Sequence, residues 1–201
     1  MDPKVESPVM DPKLLAQLIT VIREKSYREG DFTLVSGKKS SYYIDLKATT
    51  LSAEGAWLIG KLTVELMIQK CKERHYKIQG VGGLTLGADP LATAVSLASR
   101  ESGLNWPAYI VRKEPKGHGT SRYIEGTENL PPGAELLVLE DVVTTGGSSL
   151  KAIERLREAG YKPVAVLTVV DREQGGAETF KNAGVEFIAL ATISQITVSR
   201  L

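Results

Sequence analysis

Sulfur and imidazole groups are scarce in this chain of 201 residues, which has one cysteine, Cys71, and two histidines, His75 and His118. A lone cysteine excludes an intramolecular disulfide and a zinc site built from several thiolates. The two histidines do not have the spacing of a metal site. We expect Cys71, which follows a helical stretch, to be an inert core or boundary residue, and His75, which lies in a polar segment, to be exposed.

The sequence also lacks an excess of one charge and any long apolar run. It has 25 Lys and Arg residues against 24 Asp and Glu residues, a net charge of +1. This balance argues against a protein that coats nucleic acid or an anionic membrane. The longest apolar stretches, such as residues 163–170, are shorter than the roughly 18 residues of a membrane helix, and the N-terminus has no secretory apolar run. We therefore expect a cytoplasmic protein with neither nucleic acid nor membrane as a partner.

The apolar pattern alternates between strands and helices, which predicts an α/β fold with a doubly wound, mostly parallel sheet. Asp11 and Pro12 open a first helix that ends before Gly30. A hairpin is expected at residues 32–34 and 42–46, further strands at 78–81, 108–111, 136–139, 164–170 and 187–190, and further helices from residue 52 and at 88–102, 148–159 and 176–183. Residues 112–134 show no clear period, which indicates a functional loop or a missed element.

The most informative segment follows the predicted strand at residues 136–139. Glu140 and Asp141 stand at the strand tip, and a loop of Val, Thr, Gly and Ser residues leads into a helix. Backbone N–H groups, hydroxyls and a helix dipole suit a phosphate, whereas the carboxylates suit sugar hydroxyls or a metal ion that carries a second anion. These preferences describe a ribose 5-phosphate site. The alternative is an ordinary strand–turn–helix junction, and the segment has neither the Walker nor the dinucleotide-binding pattern.

A second segment, residues 112–126, is basic and rich in glycine. Four basic residues outnumber two acidic ones there, beside His118, Gly117 and Gly119. A mobile basic loop can close over a diphosphate and neutralise the charge that develops as it leaves. The alternative is a solvated surface loop.

Residues 140–149 resemble the phosphoribosyl-diphosphate binding motif of type I phosphoribosyltransferases. Residues 32–45, 111–126 and 171–176 narrow the resemblance to the orotate phosphoribosyltransferase family, over nearly the whole chain after residue 11. The resemblance implies transfer of the 5-phosphoribosyl group from phosphoribosyl diphosphate to N1 of orotate, in de novo pyrimidine (UMP) biosynthesis. It also implies Mg²⁺ as the cofactor, no covalent nucleophile, and a homodimer with shared active sites.

We expect three parts in the chain. Residues 1–10 would be a flexible N-terminal tail, since Met-Asp-Pro-Lys occurs at residues 1–4 and again at 10–13. Residues 11–50 would be the N-terminal helix and the hood hairpin that covers the base. Residues 51–201 would be the phosphoribosyltransferase core, with its mobile loop at 112–126.

The resemblance implies a role for each matching residue. The expected catalytic residues are Lys113, Lys116 and His118. The expected contacts of phosphoribosyl diphosphate are these three and Arg112, Glu140, Asp141, Val142, Val143, Thr144, Thr145, Gly146, Gly147, Ser148 and Ser149. The expected contacts of orotate are Thr144, Arg172, Tyr42 and Tyr43. Mg²⁺ is expected to contact ligand oxygens and water, with no protein side chain assigned to it.

The guanidinium of Arg172 is suited to grip the carboxylate of orotate with two hydrogen bonds. The alternative for Arg172 is a turn residue in solvent. The alternative for Tyr42 and Tyr43 is a pair of strand residues half-buried against the core.

The chain departs from the family's pattern at two places. Many members have lysine where this chain has Val35, and many have a lysine in the loop at residues 82–87, which has none here. Gly82, Gly83 and Gly87 still suit a close backbone approach to a diphosphate. Two other functions are weighed: a phosphoribosyltransferase for another base, such as a purine, and a regulator that senses phosphoribosyl diphosphate and binds nucleic acid.

Overall fold

The computed structural model describes residues 10–33, 37, 39–115 and 123–197. Within them the strands β1 to β8 are Tyr27–Thr33, Lys39–Ile44, Ile78–Leu84, Ala108–Val111, Ile124–Glu125, Glu135–Val143, Lys162–Asp171 and Glu186–Thr192. The helices α1 to α7 are Pro12–Lys25, Lys47–Thr50, Ala53–Arg74, Ala88–Glu101, Gly147–Glu158, Gly176–Asn182 and Ile193–Thr197. A single 3-10 turn, Thr127–Asn129, joins β5 to β6.

Helix α1 begins as the sequence predicts and ends before Gly30. The Asp11 carboxylate accepts a 2.8 Å hydrogen bond from the Lys13 amide, which caps the first turn. The chain is already in strand β1 at Tyr27, and Gly30 lies inside that strand, where the ladder with β2 shifts register. Gly30 thus lies past the end of the helix, as expected, but Ser26 is the residue that caps the helix, and the glycine lies at an irregularity of the hairpin.

The hairpin of β1 and β2 is a small antiparallel sheet of its own. Strands β3 to β8 form the main sheet in the order β5-β4-β3-β6-β7-β8, in which every neighbouring pair except β4 and β5 is parallel. The predicted doubly wound sheet with an N-terminal hairpin is confirmed. Strand β5 and the 3-10 turn lie in the segment 112–134, where the sequence shows no hydrophobic period. The two residues of β5 are too few to produce one.

The connections of the main sheet diverge between β3 and β6. The chain passes from β3 through α4 to β4 on one side, and from β6 through α5 to β7 on the other. Sheets of this kind bind ligands outside the carboxyl ends of the strands at such a point. The topology therefore places the site at the ends of β3 and β6.

Two cores cover the two faces of the sheet. Leu137 and Leu139 face α1, α3 and α4, whereas Leu136 and Val138 face α5 and α6. This alternation along β6 is the expected result of a strand buried on both sides. No helix of the described ranges is both long and apolar enough to cross a membrane.

The glycines of β3 are explained by contacts within the sheet. A Cβ atom at Gly82 would lie 1.9 Å from the carbonyl oxygen of Tyr109, and one at Gly83 would lie 2.2 Å from that of Leu139. The backbone of β3 approaches its neighbours too closely for any side chain at these positions. Packing is therefore sufficient to explain both glycines, and their approach to a diphosphate stays a prediction.

The scarce residues lie where the sequence suggested. Cys71 packs at the edge of the larger core, and burial raises the pKa of its thiol. His75 is exposed and follows α3 with a positive φ of 59°.

Candidate active site

The loop after β6 forms a small cavity at the N-terminus of α5. It encloses about 190 Å³ and is lined by Glu140, Val142, Val143, Thr144, Thr145, Gly146, Gly147 and Ser148. The first N–H groups of a helix have no partner within it, and together with the helix dipole they attract an anion. The segment predicted to hold a phosphate is therefore a cradle of the right chemistry.

Gly146 gives this cradle its shape. Its φ is +86°, in the left-handed region that favours glycine, and a Cβ atom there would lie 2.7 Å from the ring of Phe180. The Leu150 amide donates a 3.0 Å hydrogen bond to the Gly146 carbonyl, which starts the helix. The loop can turn this sharply only with a glycine at this position.

Glu140 is buried below the cradle. Its carboxylate accepts a 2.8 Å hydrogen bond from the Ser149 hydroxyl, which closes the loop onto the strand. Burial raises the pKa of Glu140 to about 7; the Ser149 hydroxyl and the ammonium of Lys113 oppose the shift, and Asp141 adds to it. Val143 and Ser149 are also buried, so these two residues can reach a ligand only through their backbone.

Asp141 lies at the crevice between β3 and β6. A Cβ atom at Gly87 would be 2.7 Å from Oδ1 of Asp141, so the carboxylate occupies the space that a side chain would need. The same Oδ1 accepts a 2.9 Å hydrogen bond from the Val142 amide. The pKa of Lys47, at the start of α2, is raised mainly by its hydrogen bond with Asp45, and the negative charge of Asp141 adds to this shift.

Arg172 follows β7 and meets the hairpin. Its amide donates a 2.9 Å hydrogen bond to the Val143 carbonyl, its Nε donates a 3.3 Å hydrogen bond to the Tyr42 hydroxyl, and its Cζ lies 5.1 Å from the centre of the Tyr42 ring. Tyr27 stacks on the other side of this contact, with 5.9 Å between the ring centres of Tyr27 and Tyr42. Arg172 is therefore half-buried and held against the hairpin, and its contact with orotate stays a prediction.

Tyr42 and Tyr43 point to opposite faces of the hairpin. Tyr43 is 45% exposed, and its ring lies 5.6 Å from the ring of Phe32. Successive side chains of a strand alternate, so only one of the two tyrosines can face the sheet. The structure brings Tyr42 to Arg172 and leaves Tyr43 on the outer face.

The described part of the basic segment lies beside the same crevice. Lys113 and Ser148 line one cavity, so this lysine borders the space beside the cradle. The guanidinium of Arg112 forms a 3.0 Å ion pair with Glu125 of its own chain. Lys116 and His118, both predicted to be catalytic, lie outside the described residues.

Sequence reasoning also missed Arg155. This residue of α5 donates hydrogen bonds to the carbonyl oxygens of Arg112 and Lys113. An arginine on the polar side of an amphipathic helix resembles any solvated residue, so no local signal distinguishes it. Lys47 had a weak signal, since it follows the hood segment by a few residues.

Known proteins are similar to most of the chain. Residues 84–191 match the family model described as "Phosphoribosyl transferase domain". The chain is 49% identical over 183 residues to an orotate phosphoribosyltransferase of Nostoc sp., covering 91% of this chain and 85% of the relative.

Solved structures are similar over nearly the full length. An orotate phosphoribosyltransferase of Mycobacterium tuberculosis, in complex with Fe(III) dicitrate, has a TM-score of 0.78 and 38% identity, covering 92% of this chain and 99% of that one. A structure of the M. tuberculosis protein in complex with 5-phospho-alpha-D-ribosyl 1-diphosphate has a TM-score of 0.74 and 34% identity, with the same coverage.

Proposed function

The chain belongs to the orotate phosphoribosyltransferase family, and on this premise we propose how its own residues perform the reaction. The enzyme transfers the 5-phosphoribosyl group from phosphoribosyl diphosphate to N1 of orotate, giving orotidine 5′-monophosphate and diphosphate in pyrimidine biosynthesis. One observation carries the assignment of residues. An anion cradle, two acids and an arginine with N–H groups to spare meet at one edge of the sheet.

The cradle formed by residues 144–149 would hold the 5′-phosphate of the ribose. Backbone N–H groups and the hydroxyls of Thr144, Thr145 and Ser148 are donors, as a phosphate requires. Glu140 and Asp141 are acceptors and would bind the ribose hydroxyls.

Orotate would lie between the hairpin and the end of β7. The guanidinium of Arg172 offers further N–H groups besides the one bonded to Tyr42, enough for a bidentate contact with a carboxylate. Thr144 would also contact the base, because it follows Val143, whose carbonyl accepts the hydrogen bond of the Arg172 amide. Tyr42 would position Arg172, while Tyr43, on the outer face, has a weaker claim to a direct contact.

The diphosphate would leave toward the basic segment. As the C1′–O bond breaks, positive charge develops on the ribose and negative charge on the diphosphate. Lys113 is near enough to influence Glu140 and would stabilise the leaving group. Lys116 and His118 are proposed for the same role from the sequence alone. Catalysis would be mainly positioning and electrostatic stabilisation, with no covalent intermediate.

Magnesium is proposed as the cofactor. No group of three His, Cys, Asp or Glu side chains that could hold a metal ion occurs among the described residues. The donors at the crevice nevertheless fit Mg²⁺, which keeps several waters and binds through few carboxylates. Asp141, half-exposed beside Gly87, would hold it through a water, and the ligand oxygens would supply the rest. When bound, Mg²⁺ offsets negative charge on the diphosphate.

A homodimer with shared active sites is also proposed, in which Arg112 of one protomer serves the diphosphate of its partner. The support is the resemblance of residues 111–126 to the family's loop. A cytoplasmic location is also proposed, because a chain with one cysteine has no internal disulfide of the kind that oxidising compartments favour.

The function is tested by the loss of orotate absorbance when the purified protein is mixed with phosphoribosyl diphosphate and Mg²⁺. Adenine, hypoxanthine and uracil serve as matched alternative bases. Turnover of orotate alone is expected, because only orotate carries the carboxylate that Arg172 is placed to bind. Turnover of another base instead would contradict the proposed role of Arg172 but would leave the proposed role of the cradle intact. Binding of phosphoribosyl diphosphate without any turnover would favour the regulator.

A further inference from the structure

Arg155 connects α5 to the basic segment at two places. Its terminal nitrogens donate hydrogen bonds to the carbonyl oxygens of Arg112 and Lys113, the second at 2.9 Å. Its Cζ lies 4.1 Å from the centre of the Tyr123 ring. The Arg112 amide in turn donates a 2.7 Å hydrogen bond to the Tyr123 carbonyl. One half-buried guanidinium thus contacts three residues of the basic segment, Arg112, Lys113 and Tyr123.

We propose that Arg155 is a positioning residue that holds the backbone of Lys113, and through it the Lys113 ammonium, in register with the phosphate cradle. This inference rests on the proposed function, in which Lys113 stabilises the leaving diphosphate. It adds a residue that touches no substrate.

The helix makes this coupling rigid. Its first turn, at Gly147, belongs to the cradle, and Arg155 follows eight residues later, about 12 Å along the axis at 1.5 Å per residue. A straight two-turn helix between the two points fixes their separation. The cavity that holds Lys113 is also lined by Ser148 and Arg155, so cradle, lysine and arginine border one space.

Arginine suits this role better than lysine. Two carbonyl oxygens of successive residues are bridged by the planar fork of a guanidinium, which can also stack on an aromatic ring. An ammonium is a point charge and cannot keep both bonds and the stacking. Arg155→Lys therefore removes the positioning function while it keeps the charge and the aliphatic stem.

Arg157 provides a matched control on the same helix. Its NH2 group donates a 2.9 Å hydrogen bond to the Ala183 carbonyl, so it too binds a backbone oxygen. Its partner is the end of α6, away from the basic segment. Arg157→Lys repeats the same chemical change without touching Lys113.

The experiment compares Arg155→Lys and Arg157→Lys by steady-state kinetics and by hydrogen exchange of the Arg112 amide. Arg155→Lys is expected to lower kcat about tenfold, with KM for orotate changed by less than about twofold, because a small displacement of a charge-stabilising group is costly. Exchange of the Arg112 amide, measured without substrate, is expected to become about tenfold faster. Arg157→Lys is expected to change neither.

A double variant tests whether Arg155 acts through Lys113. In a Lys113→Ala background, Arg155→Lys is expected to lower kcat by less than about twofold further, because the group that it positions is gone. A full tenfold loss in that background, an unchanged exchange rate at Arg112, or an equal effect of Arg157→Lys would each overturn the proposal. If the unmodified protein fails to turn over orotate, the proposed function fails, and the exchange rate alone decides whether Arg155 holds the segment.

Discussion

The Nε atom of Arg172 and the hydroxyl of Tyr42 lie 3.3 Å apart although 130 residues separate them in the sequence. This contact joins the end of β7 to the hairpin and closes the side of the site where the base would lie. Because the contact uses one of five N–H donors, Arg172 is oriented and still able to bind a carboxylate. In the proposed function, the specificity for an acidic base would therefore depend on how the N-terminal hairpin docks onto the main sheet.

Arg172→Ala is expected to weaken orotate binding by about 10- to 100-fold, the usual range for losing a charge-assisted contact. Binding of phosphoribosyl diphosphate should change much less, since its cradle lies on α5. Isothermal titration with each ligand measures both. Tyr42→Phe, which keeps the ring and removes the hydroxyl, should have a smaller effect on orotate. An equal loss for both ligands would contradict the carboxylate role.

Gly146→Ala is expected to lower the free energy of unfolding by about 3 kcal/mol, because the left-handed φ and the contact with Phe180 both add a cost. Gly133→Ala is the matched control: its φ is +72°, but nothing lies within 4 Å of the added Cβ, so about 1 kcal/mol is expected. Urea denaturation of the two variants separates the backbone cost from the steric one. Equal losses would show that the Phe180 contact does not matter.

Glu140 predicts a dependence of stability on pH. Its pKa in the folded protein is raised by burial, so the folded state favours the protonated carboxyl. This preference stabilises the folded state. The stabilisation is fully present below the ordinary pKa near 4.5 and is lost as pH rises toward about 7. Relative to Glu140→Gln, which stays neutral, the unmodified protein should lose roughly 2–3 kcal/mol between pH 4.5 and 8. A constant difference between the two proteins across that range would refute the shift.

Asp141→Asn is expected to weaken binding of phosphoribosyl diphosphate by about tenfold, because a carboxylate accepts stronger hydrogen bonds from ribose hydroxyls than an amide does. Gly87→Ala should weaken it too, since the added Cβ would displace the Asp141 carboxylate from 2.7 Å away. Gly133→Ala, which adds a Cβ into open space outside the cradle, controls for the loss of a glycine. Unchanged affinity in both Asp141→Asn and Gly87→Ala would remove Asp141 from the ribose site.

Shared active sites predict complementation between two inactive variants. Lys116→Ala and Arg172→Ala should each be nearly inactive alone. If the basic segment serves the partner's site, mixed dimers contain one intact site, and an exchanged equimolar mixture should recover roughly a quarter of the normal activity. A mixture as inactive as its components would place each segment in the site of its own chain.

Much of the fold was predictable because buried strands and amphipathic helices leave clear patterns. The limits of β6 were not. The expected strand stopped at Leu139, whereas β6 continues to Val143, with Glu140 opposite Thr168 of β7. Two carboxylates end an apolar run, so the sequence indicates a turn there. The ladder with β7 instead extends the strand and turns Glu140 inward, which produces its raised pKa.

The candidate site was predicted best where one continuous segment makes it, as in residues 140–149. It was predicted less well where distant segments meet. The alternation of β2 implies that only one of Tyr42 and Tyr43 faces the sheet, but the choice depends on docking against Arg172. Arg155 left no signal at all, because its partners are backbone carbonyls, which every residue has.

The crowding around Gly82 and Gly83 affects how this protein responds to random mutation. Any side chain at these two positions would collide with the neighbouring backbone, so packing alone requires both glycines. In a saturation-mutagenesis library selected for growth, substitutions at Gly82 and Gly83 should therefore be lost as completely as substitutions at Arg172. The two kinds of position separate when protein abundance is measured beside activity: variants at the glycines disappear from the folded pool, whereas variants at Arg172 remain in it and fail to bind orotate.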